Sequence, residues 1–390
     1  MQKTNGELRV ICAFYASTTY GSEYRAGLEF IRFAASNGFD LAIVADLEEN
    51  SPAMVLEAEA PGIRVVRIPS PVKRQATLYR FSDVIPQTIW HLRVARWLAK
   101  ETMPLHTLWI QNGAQPWLPL VPYFALASNL IWGPTGGGEP PPVAMLLRLD
   151  WKTRVRERVR SLVEEQFLRN KLSAVARRDA PRFLPLARTV EVQRRLGHWI
   201  HSVIPVIPEI LDPLSGVTVQ RTPSYIPRFV WVGQDIPRKN LQLALEIFAA
   251  LRRDEFPDST LDVFGCTRPG VQSKEGVTFH GWVPRIDWPS FQNDGVLLLT
   301  SFREGLPSVV LEAARHGLLS VTTDVGAISS LGINTLHILP RDEYPNFSSG
   351  SLWQVAARIR LHLAQHTINL PPVSHTTNLA NYLRAEGIIQ

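Results

Sequence analysis

Cysteine is nearly absent from the 390-residue sequence, which contains only Cys12 and Cys266. The two residues lie far apart, each beside an apolar run that is typical of a strand. A disulfide between them is one interpretation; two buried free thiols in a reducing compartment is the one we favour, because disulfides are rare in the cytosol. No group of Cys and His has the spacing of a zinc site, and we therefore expect no bound metal.

Long apolar runs are lacking as well. No stretch approaches the roughly 20 apolar residues that a membrane-spanning helix needs. The apolar run at residues 9–16 is too short for the core of a signal peptide followed by a cleavage site, and it predicts a first strand instead. We therefore expect a cytoplasmic protein.

The formal charge of +6 is concentrated in one part of the chain. Residues 147–195 contain fourteen Lys and Arg against six Asp and Glu, so the rest of the chain is slightly acidic. Such a segment suits an anionic membrane, a phosphorylated substrate or nucleic acid, and a solvated helix face is the ordinary alternative. Patterns of nucleic-acid-binding modules are missing, so we set nucleic acid aside.

An apolar stripe runs along the predicted basic helix at residues 151–178. It consists of Val155, Val159, Leu162 and Val163. Two interpretations are open: the stripe packs onto the N-terminal core, or it lies on the inner face of the plasma membrane as part of a peripheral helix.

Strand-like and helix-like stretches alternate through both halves of the chain, which predicts parallel α/β sheets. The length alone favours two domains. A proline-dotted linker at residues 203–228 separates the halves. We predict an N-terminal domain at residues 1–205 and a C-terminal domain at residues 206–360. The segment 361–390 is expected to cross back to the N-terminal domain.

Two glutamates stand eight positions apart around a predicted strand-to-helix turn. Glu304 lies in the loop after a strand, and Glu312 lies on the helix that follows. Pro307 stands near the first helical position, where its missing N–H costs nothing, and the helix N-terminus offers unpaired N–H groups to a phosphate. We predict that Glu304 accepts hydrogen bonds from sugar hydroxyls and that Glu312 holds a ribose diol. A loop charge followed by a surface helix charge would show the same spacing.

A second turn carries two neighbouring cations. A strand ends at Gly233, and a short loop places Arg238 and Lys239 ahead of a helix for which Asn240 is the predicted N-cap. A departing nucleoside diphosphate gains negative charge as the glycosidic bond breaks, and two fixed cations there stabilise the transition state. A basic turn in solvent is the alternative interpretation.

These two turns, in this order, resemble the donor domain of glycosyltransferase family 4, the group 1 glycosyltransferases. The segments 261–265, 277–283 and 323–326 add to the resemblance, which covers residues 229–326. It implies an α/β protein of the GT-B fold, with two Rossmann-like doubly wound domains facing each other across a cleft. It also implies a retaining transferase that needs no metal or cofactor and uses a nucleotide-diphosphate sugar as its co-substrate. The sequence contains no Asp-x-Asp signature of the metal-dependent transferases.

The resemblance also implies roles for individual residues. Arg238 and Lys239 would contact the donor diphosphate and, with Glu304, form the catalytic set. The remaining donor-binding positions are Gly21, Gly233, Gly265, Trp282, Gly305, Leu306, Pro307, Ser308 and Glu312.

The N-terminal half shows a weaker likeness to a subgroup of the same family, in its first loop and in a glycine-rich loop at residues 131–139. The subgroup usually has a histidine after the strand that corresponds to residues 107–111, where this chain has Trp109 and Ile110. The acceptor-side candidates are His106, Asn112, Gly136, Gly137, Gly138 and Glu139.

The sequence therefore predicts a retaining glycosyltransferase acting on a saccharide or lipid-linked acceptor, in cell-surface polysaccharide or lipopolysaccharide synthesis. Two alternatives remain open. One is a catalytically silent nucleotide-sugar-binding partner subunit, which the missing histidine favours. The other is a GT-B sugar-nucleotide epimerase or a phosphorylase.

Overall fold

The computed structural model describes most of the chain, in two compact units. The described residues are 7–19, 22–70, 84–111, 121–136, 146, 151–176, 182–197, 204–207, 218–266, 275–305, 307–326, 328, 333, 336–339, 349–369 and 376–389. The N-terminal unit comprises Met1–Glu139, Ser161–Asp212 and His375–Gln390, and the C-terminal unit comprises Pro140–Arg160 and Pro213–Ser374.

The N-terminal unit is built on a six-stranded parallel sheet in the order β3-β2-β1-β4-β5-β6. Its strands are β1 (Leu8–Ala13), β2 (Leu41–Asp46), β3 (Arg64–Pro69), β4 (Leu105–Ile110), β5 (Ala127–Thr135) and β6 (Arg182–Ala187). Its helices are α1 (Ser22–Ser36), α2 (Ala53–Glu59), α3 (Val84–Leu98), α4 (Trp151–Ala176, of which residues 151–160 belong to the C-terminal unit), α5 (Val190–Gly197) and α9 (Thr376–Ala385).

Both faces of this sheet are covered, which explains why its strands are apolar without alternation. Successive residues of a strand point to opposite faces. Val10 and Cys12 of β1 therefore enter the core under α3, and Ile11 and Ala13 enter the core under α1. The second core is completed by the last residues of the chain, Leu379, Leu383, Ile388 and Ile389.

The C-terminal unit repeats the same strand order, β10-β9-β8-β11-β12-β13, again with every pair parallel. The strands are β8 (Arg228–Val232), β9 (Thr260–Phe264), β10 (Val277–Gly281), β11 (Gly295–Leu299), β12 (Leu319–Thr323) and β13 (Leu336–Leu339). The helices are α6 (Leu241–Asp254), α7 (Ser308–Arg315) and α8 (Ser349–Leu363). A small antiparallel pair joins β7 (Thr218–Gln220) to β14 (Thr367–Asn369).

The structure confirms several local predictions. Cys12 and Cys266 are buried free thiols, and burial raises the pKa of the Cys12 thiol well above its usual value. Gly317 ends α7 in the left-handed conformation, with φ +73°. Within the described residues, no helix combines the length and the apolarity needed to cross a membrane.

The unit boundaries differ from the predicted ones. Residues 140–160, which were predicted to belong with 1–205, group with the C-terminal unit. Residues 361–374 also stay in the C-terminal unit, and the return to the N-terminal unit begins at His375. The boundary between the units falls between Asp212 and Pro213 rather than between residues 205 and 206, and β7 pairs with β14 inside the C-terminal unit.

Candidate functional site

The two turns singled out in the sequence lie side by side at the carboxyl edge of the C-terminal sheet. One follows β8 and the other follows β11, and these two strands are parallel neighbours. The strand order reverses between them, and open α/β sheets bind ligands at such a switch point. The Phe302 N–H donates to the Arg238 carbonyl oxygen at 3.0 Å, so the turns are also joined by their backbones.

A cluster of two cations, a hydroxyl and a carboxylate forms where the turns meet. Lys239 Nζ lies 2.6 Å from Glu304 Oε1, and Arg238 Nη1 lies 3.2 Å from Glu304 Oε2. The Ser301 hydroxyl donates to Glu304 Oε1 at 2.6 Å. We call these four residues the cation–carboxylate cluster.

The cluster holds Glu304 in its charged form. Burial of this side chain by itself raises the pKa of the carboxyl group, but the charges of Lys239 and Arg238 and the hydrogen bonds from Lys239 and Ser301 outweigh it. The net effect is a pKa below the ordinary value for glutamate. The two cations are fixed in place and carry one positive charge in excess of the carboxylate.

A left-handed residue turns the chain between the cations and α6. Arg238 and Lys239 belong to a short 3-10 turn, Pro237–Lys239, and Asn240 follows with φ 51° and ψ 51°. Asparagine tolerates this conformation better than most residues. The Thr300 hydroxyl donates to the Asn240 carbonyl oxygen at 2.9 Å, which fixes the bend. Asn240 is the N-cap residue of α6, as predicted, but its side chain makes no capping hydrogen bond.

Close backbone approaches hold the surrounding turns together. Gly265 has φ +91°, and a Cβ there would lie 2.6 Å from the Gly233 carbonyl oxygen. Gly326 has φ +61°, and a Cβ there would lie 2.2 Å from the Gly305 carbonyl oxygen and 2.4 Å from that of Glu304. These glycines let neighbouring turns touch backbone to backbone. Gly326 was part of the family resemblance but was not among the predicted site residues.

The second glutamate of the motif is held by an aromatic side chain that the sequence analysis missed. Pro307 precedes α7, and Glu312 lies on the second turn of that helix. The indole N–H of Trp288, a buried residue, donates to Glu312 Oε2 at 3.2 Å. Trp288 precedes Glu312 by 24 residues, and no local pattern marks it.

The turn after β10 presents a large exposed aromatic side chain. Trp282 is 70% exposed and directly follows Gly281, whose carbonyl oxygen accepts a hydrogen bond from the Gly265 N–H at 2.7 Å. His280 stacks on Phe264 with ring centroids 4.4 Å apart, and its Nε2 lies 2.6 Å from Asp262 Oδ1. Trp282 is therefore an open ring surface on a turn that is itself firmly anchored.

Two of the predicted acceptor-side residues, His106 and Gly136, are described in the N-terminal unit. His106 is the second residue of β4, at the amino end of the strand, and its Nδ1 contacts the hydroxyl of Thr107 at 2.8 Å. Ligands are expected at the opposite, carboxyl end, so the reason for choosing His106 as an acceptor-side candidate no longer holds. Gly136 follows β5, where a Cβ would lie 2.9 Å from the guanidinium carbon of Arg188. The predictions for Gly21, Asn112, Gly137, Gly138, Glu139 and Leu306 fall outside the described residues.

The chemistry of the C-terminal site is thus anion binding beside a hydrogen-bonding carboxylate. Fixed cations stabilise the negative charge that develops on a leaving group, without reorganisation during the reaction. The start of α7 adds backbone N–H groups and a partial positive charge. Glu312 adds a carboxylate on α7, and Trp282 adds an exposed ring face after β10.

Comparison with known proteins agrees with this geometry. The model of the family described as Glycosyl transferases group 1 matches residues 226–348, which contain the whole cluster. No curated protein matches the sequence.

Solved structures with a similar fold span nearly the whole chain. WaaG, a glycosyltransferase involved in lipopolysaccharide biosynthesis, is 16% identical with a TM-score of 0.53, over 98% of this chain and 96% of its own. Sucrose-phosphate synthase from Thermosynechococcus elongatus is 13% identical with a TM-score of 0.56, over the same shares. HepE from Anabaena, solved with UDP and glucose, is 14% identical with a TM-score of 0.51, over 97% of this chain and 100% of its own.

The family match and the fold together confirm the resemblance found in the sequence. Residues 226–348 match the group 1 glycosyltransferases, and the chain as a whole is an α/β protein with the GT-B fold of these solved structures.

Proposed function

We propose that this protein is a retaining, metal-independent glycosyltransferase that moves a sugar from a nucleoside-diphosphate sugar to a saccharide or lipid-linked acceptor. The observation that carries the proposal is the convergence of Arg238 and Lys239 on the buried Glu304 at the switch point between β8 and β11. HepE, which shares the fold, was solved with UDP and glucose. WaaG belongs to lipopolysaccharide biosynthesis, which supports a role in cell-surface glycan assembly.

Each part of the site has a role in this reaction. Arg238 and Lys239 bind the diphosphate and stabilise its charge as it leaves, which is the task that a metal ion performs in other transferases. Glu304 accepts hydrogen bonds from the donor sugar, and Glu312 accepts hydrogen bonds from the ribose. Trp282 borders the nucleobase. Retention follows from attack on the face that the diphosphate leaves, with a phosphate oxygen taking the proton of the acceptor hydroxyl.

Binding of the donor is the first test. A ligand at a hundred times its Kd adds about 2.7 kcal/mol to the stability of the folded state. We expect one of UDP, GDP or ADP to raise the Tm of the wild-type protein, and the Arg238→Ala/Lys239→Ala variant to lose that shift. The Arg253→Ala variant, which removes an exposed cation paired with Asp254 on α6, serves as the control and should keep it. Failure of all three nucleotides to shift the wild-type protein would overturn the donor site.

Turnover separates an enzyme from a silent partner subunit. We expect release of free nucleoside diphosphate from the matching sugar nucleotide, faster with acceptor, and unchanged by EDTA. NMR of the product should show the anomeric configuration of the donor. Tight donor binding without turnover on any saccharide or lipid-linked acceptor would favour the silent subunit, and loss of activity in EDTA would refute metal independence.

We propose further that the protein works in the cytoplasm, on the inner face of the plasma membrane, and contacts it through α4. The apolar stripe does not pack onto a core: Val155, Val159, Leu162 and Val163, with Trp151 one turn earlier, are between 46% and 71% exposed. The exposed cations Lys152, Arg156 and Arg158 flank the stripe. Cations beside an exposed apolar stripe suit the surface of an anionic bilayer.

Vesicle sedimentation tests this contact. We expect binding to vesicles of mixed anionic and neutral lipid, weaker binding to neutral vesicles, and release of most protein at high salt. The Val155→Ser/Val159→Ser variant should bind less. Leu361→Ser, which removes a similarly exposed apolar side chain from α8, is the control and should bind normally. No binding to anionic vesicles would overturn the contact.

A further inference from the structure

A buried ion pair links α4 to the loop that carries Glu304. Arg303 Nη1 lies 3.4 Å from Glu157 Oε2, and the two residues are only 6% and 4% exposed. Both belong to the C-terminal unit, because the part of α4 up to Arg160 groups with it. Each charge loses its hydration on burial, so a pair at this depth is retained only with good mutual contact.

The pair acts on the backbone next to the cation–carboxylate cluster. Arg303 stands directly before Glu304, and its carbonyl oxygen accepts a hydrogen bond from Arg238 Nη1 at 3.1 Å. The same guanidinium nitrogen contacts Glu304 Oε2 at 3.2 Å. A fixed Arg303 side chain therefore fixes a carbonyl group that orients Arg238.

The position of Glu157 on its helix sets it apart from the charges around it. Glu157 and Thr153, one turn earlier, are buried, whereas Arg156 and Arg158 on either side of Glu157 are exposed. At 100° per residue, Glu157 lies on the side of α4 opposite to Val155 and Leu162. One face of this helix therefore carries the proposed membrane contact, and the other carries a carboxylate aimed at the loop of Glu304.

We propose that Glu157 is a positioning residue of the donor site. It holds Arg303, and through the Arg303 carbonyl it sets the guanidinium group of Arg238 for the donor diphosphate. This inference rests on the proposed function, since Arg238 is the proposed diphosphate ligand. It adds a residue that is 146 positions away from Arg303 in sequence and outside the segment matched by the family.

The test compares two like substitutions on the same helix. Glu157→Gln keeps the shape of the side chain and removes its charge. Glu165→Gln does the same to a carboxylate of α4 that pairs with Arg195 in the N-terminal unit, and it is the matched control. Calorimetric titration with UDP, GDP and ADP identifies the nucleotide that the wild-type protein binds. For that nucleotide we expect Glu157→Gln to raise the Kd about tenfold, the size expected for a lost hydrogen bond to a charged group, and Glu165→Gln to leave it unchanged.

A double-mutant cycle shows whether Glu157 acts through Arg303. Arg303→Gln should weaken nucleotide binding to a similar extent, and the Glu157→Gln/Arg303→Gln variant should be no worse than either single variant. If Glu157 and Arg303 only stabilised the fold, the two single variants and the double variant would have a lower Tm, but their Kd values would not show this shared, non-additive rise. Should Arg303→Gln not fold, Arg303→Lys keeps the charge but not the planar fork, and the same rise in Kd is expected.

Two results would overturn the inference. One is a Glu157→Gln protein that binds the nucleotide as tightly as the wild type does. The other is a double variant in which the losses of binding free energy of the two single variants add. Both differ from failure of the proposed function, in which the wild-type protein itself binds none of the three nucleotides.

Discussion

Lys239 and Glu304 form the shortest ion pair of the cation–carboxylate cluster, with 2.6 Å between Nζ and Oε1, and Glu304 is almost wholly buried. The pair joins two turns that are 65 residues apart in sequence. The carboxylate is both a partner for the cations and, in the proposed reaction, a ligand for the donor sugar. Its charge state therefore depends directly on its neighbours.

Removal of Lys239 is expected to impair catalysis far more than folding at neutral pH. Loss of one preorganised charge aimed at the leaving group costs about a hundredfold or more in kcat. Glu304 keeps Arg238 and Ser301 as partners, so we expect the Lys239→Met protein to fold. Steady-state kinetics with the matching sugar nucleotide measure the loss; Arg253→Ala, at an exposed pair, should be unaffected. A Lys239→Met enzyme with normal kcat would contradict the assigned role.

The same pair predicts a change in pH dependence. Folding lowers the pKa of Glu304, so its ion pairs add stability above the pKa of an unfolded glutamate, and this stability is lost as the pH falls through the folded value. In Lys239→Met the folded pKa should rise towards the ordinary value, so this carboxyl group should contribute less stability at neutral pH and the variant should lose less stability as the pH falls. Urea unfolding of both proteins from pH 7 to pH 4 measures this; identical acid limbs would refute it.

Trp288 is expected to set the preference for ribose over deoxyribose. Its indole N–H fixes Glu312 Oε2, which leaves the other oxygen to accept hydrogen bonds from the ribose. Trp288→Phe keeps a ring in the site but frees the carboxylate. We expect the Kd for the matching nucleoside diphosphate to rise about tenfold, as for a hydrogen bond to a charged group, while the Kd for its 2′-deoxy form changes little. Equal weakening of both ligands would argue against a role through the ribose.

Gly326 is expected to tolerate no side chain. A Cβ would lie 2.2 Å from the Gly305 carbonyl oxygen, so Gly326→Ala must displace the loop that carries Glu304. We expect the variant to lose nearly all donor binding in a thermal-shift assay. Gly387→Ala is the control, because Gly387 also has a positive φ, +67°, but no atom within 4 Å of its Cβ position. That variant should lose about 1–2 kcal/mol of stability from backbone strain and keep donor binding.

His362 is expected to make the C-terminal unit acid-sensitive. Burial, together with the charge of Arg221, lowers the pKa of His362 to about 3, and its Nε2 donates to the Gly317 carbonyl oxygen at 2.9 Å. An unfolded histidine titrates near 6.5, so between pH 6.5 and 3 the unfolded chain binds the extra proton. The contribution of His362 to the free energy of unfolding is therefore complete above pH 6.5. Below that pH it falls by about 1.4 kcal/mol per pH unit.

The variant His362→Gln tests this directly, because glutamine can still donate to Gly317 but does not titrate. Between pH 7 and pH 5 the free energy of unfolding of the C-terminal unit should fall by about 2 kcal/mol less in the variant than in the wild type. His366→Gln, at a histidine on the neighbouring loop, is the control. A wild-type and a variant protein with the same slope would contradict the assignment.

Most of the C-terminal sheet could be predicted from the sequence, and the reason is its burial. The sequence predicts strands at residues 228–232, 260–264 and 319–323, and β8, β9 and β12 have these bounds. The strands β5 and β6 were missed, and β6 contains Pro185, which argues against a strand. The structure shows why the proline is tolerated: β6 is the outermost strand of the sheet, and on the side away from β5 the described residues pair only Ala187, in a single bridge to Val206.

The sequence predicted those candidate site residues that belong to local motifs. The turns of Arg238 and Glu304 each carry their own pattern, and a parallel sheet brings them to one edge. Trp288, Gly326 and Glu157 act across the fold, and their contacts depend on packing that no short pattern encodes. Asn240 is a further example. Asparagine suits both a side-chain N-cap and a left-handed bend, so the residue type alone did not predict which of the two occurs before α6.

The last helix has a consequence for how the chain matures on the ribosome. Leu379, Leu383, Ile388 and Ile389 complete the core that contains Ile11 and Phe30, so the unit whose first strand is made first is finished only after residues 213–374 of the other unit have been made. Domains generally fold as units, and the N-terminal one folds first when all of it has been made. Here that order is reversed. Residues 213–374 of the C-terminal unit are made before the N-terminal unit has the apolar side chains that complete its core.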